Sequence, residues 1–248
     1  MHMASSDALS SPPPLAALLD CGRVAVFVDF DGTLIEIASG PDAIDVPEDL
    51  SARLEQLSER LNGALALVSG RSIENITQFV GPVNLHMAGS HGGDVQHANG
   101  EKLLKSEPLP ESVREALSDF AQREGLLYER KPHGAALHFR ARPEFEEQAH
   151  AFAKDLSAQH ELATKSGKCV IELVRPGIDK GGAVRLLMKD RPFAEALPVF
   201  IGDDVTDEDG FAACEELGGF GILVGERNST CAQYRLGTVG EVHQWLEL

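Results

Sequence analysis

Residues 26–34 read Val-Phe-Val-Asp-Phe-Asp-Gly-Thr-Leu, and with the two residues before them they decide the fold. The apolar run Val24–Val28 predicts a strand buried on both faces, as in a parallel sheet covered by helices. It stops on two acids, Asp29 and Asp31, with only Phe30 between them. Open α/β sheets bind ligands outside the carboxyl ends of their strands, so both acids are expected at a binding mouth. Two crowded carboxylates repel, and Mg²⁺ is a natural cation to hold them. Gly32 lets the backbone turn sharply and approach a ligand closely.

Composition sets bounds around this motif. A chain of 248 residues accommodates one large domain, or a core domain with a smaller insert. The formal net charge of -17 argues against a nucleic-acid binder, which needs a basic face. It does not exclude a phosphate ester, because a metal ion and a few lysines can reverse the sign locally. The four cysteines, at 21, 169, 214 and 231, lack CxxC spacing and fit scattered reduced thiols. No apolar run approaches the roughly 20 residues needed to cross a bilayer. The N-terminus has no basic segment followed by an apolar one, so no secretory signal is expected. A cytoplasmic monomer is the expectation, without membrane or nucleic-acid partners. Residues 4–14, rich in Ser and Pro, are expected to form a loose tail.

Outward from the opening strand, elements alternate. A polar loop, Glu36–Asp45, leads to a helix opened by Pro47 and striped by Leu50, Leu54, Leu57 and Leu61. Ala64–Val68 reads as a second buried strand, ending at Ser69-Gly70-Arg71. A helix from about Ser72, a strand over Leu85–Ala88 and the turn Gly89-Ser90-His91-Gly92-Gly93 follow. Asn99-Gly100 predicts a hairpin. From Pro108 the pattern changes to helix-strand-strand, twice: Glu111–Glu124, Leu127–Arg130 and Ala135–Arg140, then Glu144–Gln159, Leu162–Lys165 and Cys169–Val174. This predicts a small α+β insert with a four-stranded antiparallel sheet. After Pro176-Gly177 the alternation resumes with a helix over Lys180–Asp190. A strand over Leu197–Ile201 runs into Gly202-Asp203-Asp204, and a helix over Asp207–Glu216, a strand over Gly221–Val224 and a short terminal helix follow. The expected division is a core over 15–107 and 176–248 with an insert over 108–175.

Three strand ends thus carry polar groups: Asp29 and Asp31, Ser69, and Asp203 with Asp204. Lys180, at a helix start, can reach the same edge. Carboxylates suit Mg²⁺, a hydroxyl and an ammonium suit phosphoryl oxygens, and one carboxylate is free to attack. Glu208 and Asp209 read as solvated acids of the last loop.

Asp29-Phe30-Asp31-Gly32-Thr33-Leu34 resembles the signature of the haloacid dehalogenase (HAD) superfamily of phosphotransferases, with Ser69, Lys180 and Gly202-Asp203-Asp204 matching its later motifs in order. More narrowly, the chain resembles the trehalose-6-phosphate phosphatase family. The motifs that carry this are Ser69-Gly70-Arg71, Gly89-Ser90-His91-Gly92, Glu172-Leu173-Val174-Arg175-Pro176, Asp179-Lys180-Gly181 and Gly202-Asp203-Asp204-Val205-Thr206-Asp207-Glu208-Asp209. The resemblance implies an α/β fold: a Rossmann-like HAD core with a parallel sheet, plus an inserted α+β cap of C2 type. It implies a Mg²⁺-dependent phosphatase acting on a small sugar phosphate.

The residue roles it implies are these. Asp29 is the nucleophile, and Asp31 protonates the leaving oxygen and then activates water. Asp29, the backbone carbonyl of Asp31 and Asp203 bind Mg²⁺. Ser69 and Lys180 hold the phosphoryl group, with Asp204 and Asp207 supporting the metal and Lys180 from behind. Gly32, Arg71, His91, Gly92, Lys131, Glu172 and Arg175 contact substrate, with Arg130 and His133 as neighbours. Cap opening and closing admits sugar and excludes water. Three alternatives stay open: a phosphatase for sucrose phosphate or mannosylglycerate phosphate, a sugar phosphomutase, and a non-catalytic domain that kept the fold.

Overall fold

The computed structural model describes residues 9–37, 45–167, 169–227 and 229–248. Most of the polar loop expected over Glu36–Asp45, and residues 4–8 of the expected tail, lie outside the described residues. The chain forms two compact units, 1–104 with 179–248, and 105–178.

The larger unit begins with α1 (Leu15–Cys21), β1 (Val24–Val28), α2 (Leu50–Arg60), β2 (Leu65–Val68), α3 (Ile73–Val80), β3 (His86–Gly89), β4 (Asp94–Gln96) and β5 (Lys102–Lys105). The smaller unit holds α4 (Glu111–Glu124), β6 (Leu127–Arg130), β7 (Gly134–His138), α5 (Glu146–Gln159), β8 (Ala163–Gly167) and β9 (Val170–Val174). The larger unit resumes with α6 (Lys180–Leu187), β10 (Leu197–Gly202), α7 (Glu208–Glu216), β11 (Phe220–Val224), β12 (Tyr234–Leu236) and α8 (Val239–Leu246).

Eight strands form one sheet in the order β12-β11-β10-β1-β2-β3-β4-β5. From β12 through β3 every pairing is parallel, and β4 then runs antiparallel to β3. β1 lies between β10 and β2, with Val28 opposite Ile201 on one side and Leu67 on the other. That position explains its unbroken apolar run, since all five residues are buried. Val24, Val26 and Val28 join Leu65, Leu67 and residues of α2, α3 and α8 in one apolar layer. Ala25 and Phe27 join Ala66, Phe200 and residues of α6 and α7 in the other. Small side chains on the second face leave room for Phe27, Phe193, Phe200 and Phe211. Burying such a face is the main favourable term holding the helices to the sheet.

The smaller unit is a four-stranded antiparallel sheet in the order β6-β7-β9-β8. Helices α4 and α5 share its apolar cluster, through Val113, Leu117 and Phe120 from one and Ala149 and Ala153 from the other, against Leu137, Ile171 and Leu173. Phe120 and Phe152 stack with ring centroids 4.3 Å apart.

Several local expectations change. The tail is tied down where it is described: Ser10 bridges to Tyr234, and the Pro13 carbonyl accepts from Trp245 Nε1 at 2.8 Å. A buried indole N–H needs an acceptor, and this chain end supplies it. The helix expected from Pro47 starts at Leu50, after a turn closed by the Leu50 N–H on the Pro47 carbonyl. The helix expected to reach Asp190 stops at Leu187, ahead of Pro192. The short elements α1 and β12 were not expected. Other strands and helices lie within one or two residues of the expected bounds, as helix and strand ends commonly do.

Candidate active site

Asp29 follows the last residue of β1, and its backbone N–H donates to the Ile201 carbonyl of β10 at 2.9 Å. The residue is 4 % exposed. Its Oδ1 accepts from Lys180 Nζ at 2.8 Å, and the same ammonium donates to Asp207 Oδ1 at 2.6 Å. Lys180 is the first residue of α6, placed there because the Asp179 side chain caps the helix by accepting from Gly182 N at 2.7 Å. Asp207 closes a 3₁₀ turn, Val205–Asp207, that leads into α7. In this capping box the Asp204 N–H donates to Asp207 Oδ2 at 2.8 Å and Val205 N donates to Asp204 Oδ1 at 2.6 Å.

Asp203, at the end of β10, completes the group: oxygens of Asp29, Asp203 and Asp207 all lie within 4.8 Å of one another. Gly32 (φ +79°) packs directly on Asp203, since a Cβ there would be 2.3 Å from Asp203 Oδ2. The electrostatics follow from two buried acids, a half-buried third and one buried ammonium. For Lys180 burial disfavours the charge, but Asp29 and Asp207 outweigh it and hold the pKa above its ordinary value. Burial raises the pKa of Asp29 well above the carboxylate range and raises that of Asp207, with Lys180 opposing in both cases. Burial, then repulsion from Asp207 and Asp204, lifts Asp203 to about 6. One cation is too few for these carboxylates. Among the described residues, Asp203 Oδ1 is buried without a hydrogen-bond partner. Clustered hard oxygens with one left unpaired fit a divalent cation such as Mg²⁺.

The Asp31 side chain is not part of that cluster. Both its oxygens accept from Arg71, Oδ2 from Nε at 2.6 Å and Oδ1 from Nη2 at 2.7 Å. Among the expected metal ligands, Asp31 could therefore contribute its carbonyl but not, in this arrangement, its carboxylate. Asp207, expected to support the metal and Lys180 from behind, stands in the cluster itself as its third carboxylate. Arg71 is itself oriented by Asn75 Oδ1 at 2.8 Å, with its guanidinium carbon 5.2 Å from the Phe79 ring centroid. Ser69, 1 % exposed, follows β2, and its Oγ accepts from Arg71 N at 3.1 Å. The His91 N–H donates to the Ser69 carbonyl at 2.9 Å, fixing the loop after β3 against that after β2. His91 has φ 55° and its ring lies where a Cβ on Gly70 would be, 2.6 Å away. Gly92 approaches the Asp179 carbonyl just as closely, at 2.3 Å from a would-be Cβ.

In the smaller unit, Lys131 Nζ donates to Glu172 Oε2 at 2.8 Å. Arg175 donates to the carbonyls of Glu107 and Pro108, both at 3.2 Å, and so ties together the two ends of that unit's chain. His133 is buried and its Nδ1 has no partner among the described atoms, while Arg130 is exposed.

Three contributors escaped the sequence reading. Asn75 stands four residues after Arg71, a helical spacing that could have marked it. Glu208, read as solvated, accepts from Arg227 Nη1 at 2.8 Å and from Cys231 N at 2.6 Å. Arg227 also donates to the Asp203 carbonyl. Nothing in sequence spacing links Arg227 to Asp203.

Solved structures give the fold first: it is that of the haloacid dehalogenase-like hydrolases. An Aspergillus fumigatus trehalose-6-phosphate phosphatase aligns with a TM-score of 0.79 at 25% identity, covering 96% of this chain and 97% of that one. A haloacid dehalogenase-like hydrolase from Bacteroides thetaiotaomicron, at 17% identity, shares the fold with a TM-score of 0.65, covering 91% and 98%. Sequence comparison narrows the class. The trehalose-phosphatase family model matches residues 27–238. The trehalose-6-phosphate phosphatase of Escherichia coli K12 is 35% identical over 98% of this chain and 91% of its own length. A probable trehalose-phosphate phosphatase of Sinorhizobium fredii is 36% identical over 90% and 86%. The chain belongs to the trehalose-phosphatase family, and it is a phosphatase.

Proposed function

We propose that this protein hydrolyses trehalose 6-phosphate to trehalose and phosphate through an aspartyl-phosphate on Asp29, with Mg²⁺ as cofactor. The observation that carries this is the buried Asp29–Lys180–Asp207 chain beside the unpaired oxygen of Asp203, in a member of this family.

Asp29 attacks phosphorus as the bond from phosphorus to the sugar oxygen breaks, and Asp31 gives that oxygen its proton. In the second step the Asp31 carboxylate takes a proton from water, the resulting oxygen attacks phosphorus, and phosphate leaves with Asp29 restored. Lys180 and Ser69 hold the phosphoryl oxygens, and the ammonium offsets charge as it redistributes. Bound by Asp29 and Asp203, with Asp207 or the Asp31 carbonyl completing the set, Mg²⁺ would lower the repulsion between a carboxylate and a phosphate dianion. Arg71 must release Asp31 for acid work and then turns to the substrate phosphate. Asp204 braces Asp207. Gly32, His91 and Gly92 shape the loops of the larger unit. Lys131, Glu172 and Arg175 are the proposed sugar contacts in the smaller one. The proposed setting is the cytoplasm, and the proposed working form a monomer.

The test measures phosphate release from a panel of sugar phosphates, with Mg²⁺ and with a chelator. Trehalose 6-phosphate is expected to be preferred, and only with metal. Preference for another sugar phosphate would overturn the substrate, and undiminished turnover in chelator would overturn the cofactor.

A further inference from the structure

We propose that Arg227 and Glu208 form a clamp that positions Asp203 for the divalent cation. This rests on the metal reading above and extends it to Arg227, outside the active-site motifs, and to Glu208, which those motifs contain without a role.

The chain of contacts is continuous. Arg227 lies beyond β11, yet Nη2 donates to the Asp203 backbone carbonyl and Nη1 to Glu208 Oε1 at 2.8 Å. Glu208, the first residue of α7, uses its other oxygen to accept from Cys231 N at 2.6 Å. One guanidinium fork therefore joins the end of β10, the start of α7 and the loop leading to β12. Arg227 and Glu208 side chains are 19% and 23% exposed, so the pair is partly shielded from water. Such bidentate, charge-assisted contacts fix direction as well as distance.

The clamp acts on the backbone of Asp203 and leaves the carboxylate alone. Gly32 closes on that carboxylate from the other side, with a would-be Cβ 2.3 Å from Oδ2, while Oδ1 remains buried and unpaired. Asp203 is thus held at its backbone and confined at its side chain, with one oxygen left for a ligand. Partners of this kind orient a metal-binding group without touching the metal. Charge alone predicts the opposite effect: removing a nearby cation should favour binding of another. For Arg227→Met the direction of change therefore separates positioning from simple electrostatics.

Mg²⁺ binding to the purified protein is measured by titration calorimetry, without substrate, for wild type, Arg227→Met, Arg227→Lys and Glu208→Gln, with melting temperatures alongside. Arg227→Met is expected to weaken Mg²⁺ binding about tenfold or more. Arg227→Lys, which keeps charge but not the fork, should fall between it and wild type, and Glu208→Gln should weaken binding in the same direction. Affinities unchanged or tightened in the folded variants would overturn the clamp, whatever their melting temperatures. If Arg227→Met does not fold, Arg227→Lys, which keeps the charge and loses the fork, decides alone. Wild type that binds no Mg²⁺ would overturn the metal reading itself, a separate result.

Discussion

The two oxygens of Asp31 are both occupied by one guanidinium, that of Arg71, at 2.6 and 2.7 Å. A carboxylate held this way has no oxygen to turn toward a leaving group. The pair must open if Asp31 is to act as the proposed acid, and Arg71 is held by Asn75 and Phe79. We predict that Arg71→Met lowers kcat/KM for the sugar phosphate by about ten- to a hundredfold, the value of a charged hydrogen bond made in the transition state. Steady-state kinetics check this, and an unchanged kcat/KM would mean that the pair has no part in turnover.

Asp29→Asn is expected to cut phosphate release by at least about a thousandfold, as removal of a nucleophile does. The fold should persist, because the change removes one of several crowded acids and leaves Lys180 its bond to Asp207. Circular dichroism establishes the fold, and acid quench with labelled substrate shows whether a phosphoryl-protein forms. A phosphoryl-protein that still forms in Asp29→Asn would place the intermediate elsewhere.

Lys180→Met leaves Asp29 and Asp207 buried without their cation. Breaking a buried ion pair from one side costs about 3–5 kcal/mol, so the melting temperature should drop markedly. Added Mg²⁺ should recover part of the loss by binding the stranded carboxylates. Thermal melts with and without Mg²⁺ measure both effects. A variant as stable as wild type without metal would refute the charge argument.

Gly32→Ala places a methyl group on Asp203 and forces a side chain to adopt φ +79°. The backbone strain alone is about 1–3 kcal/mol. The expected result is weaker Mg²⁺ binding together with a lower melting temperature. Binding at wild-type strength would show that the loop relaxes freely.

Stability should also depend on pH through His86, the first residue of β3. Burial, then repulsion from His97, lowers its pKa from 6.5 to about 4. Its ring packs edge-on against Phe193, centroids 4.8 Å apart, and against His97 at 5.4 Å. As pH falls through 6.5 the unfolded chain takes up the proton first, so the fold loses stability between about 6.5 and about 4. Below that window this residue adds no further loss. His86→Phe should flatten the slope of melting temperature against pH over the same range. Equal slopes for the two proteins would remove His86 as the cause.

Much of the fold and the site was legible in the sequence because it depended on short-range rules. Val24–Val28 could be read as a central strand because a short apolar run with no polar alternation suits a strand covered on both faces. Asp29, Ser69, Asp203 and Lys180 could be placed because strand ends of a parallel sheet gather on one edge. The double helix-strand-strand pattern gave the smaller sheet in the same way. What escaped depended on contacts between distant segments. The membership of Asp207 in the acidic cluster requires a 3₁₀ turn that no periodicity announces. The reach of Arg227 to the Asp203 carbonyl requires two loops to meet. The binding of Asp31 by Arg71 turns on side-chain direction, which motif spacing does not encode. β12, only three residues long, falls below the length at which alternation can be recognised.

Asp207 gives one oxygen to the Asp204 N–H and the other to Lys180. Local folding and the charge balance of the buried ammonium therefore pass through a single side chain. An engineer who wished to retune the ammonium by altering Asp207 would at the same time loosen the turn that opens α7. A replacement would have to supply a helix-starting acceptor and a counterion together. The two properties are inherited as one, and variation that improves either alone has no room at this position.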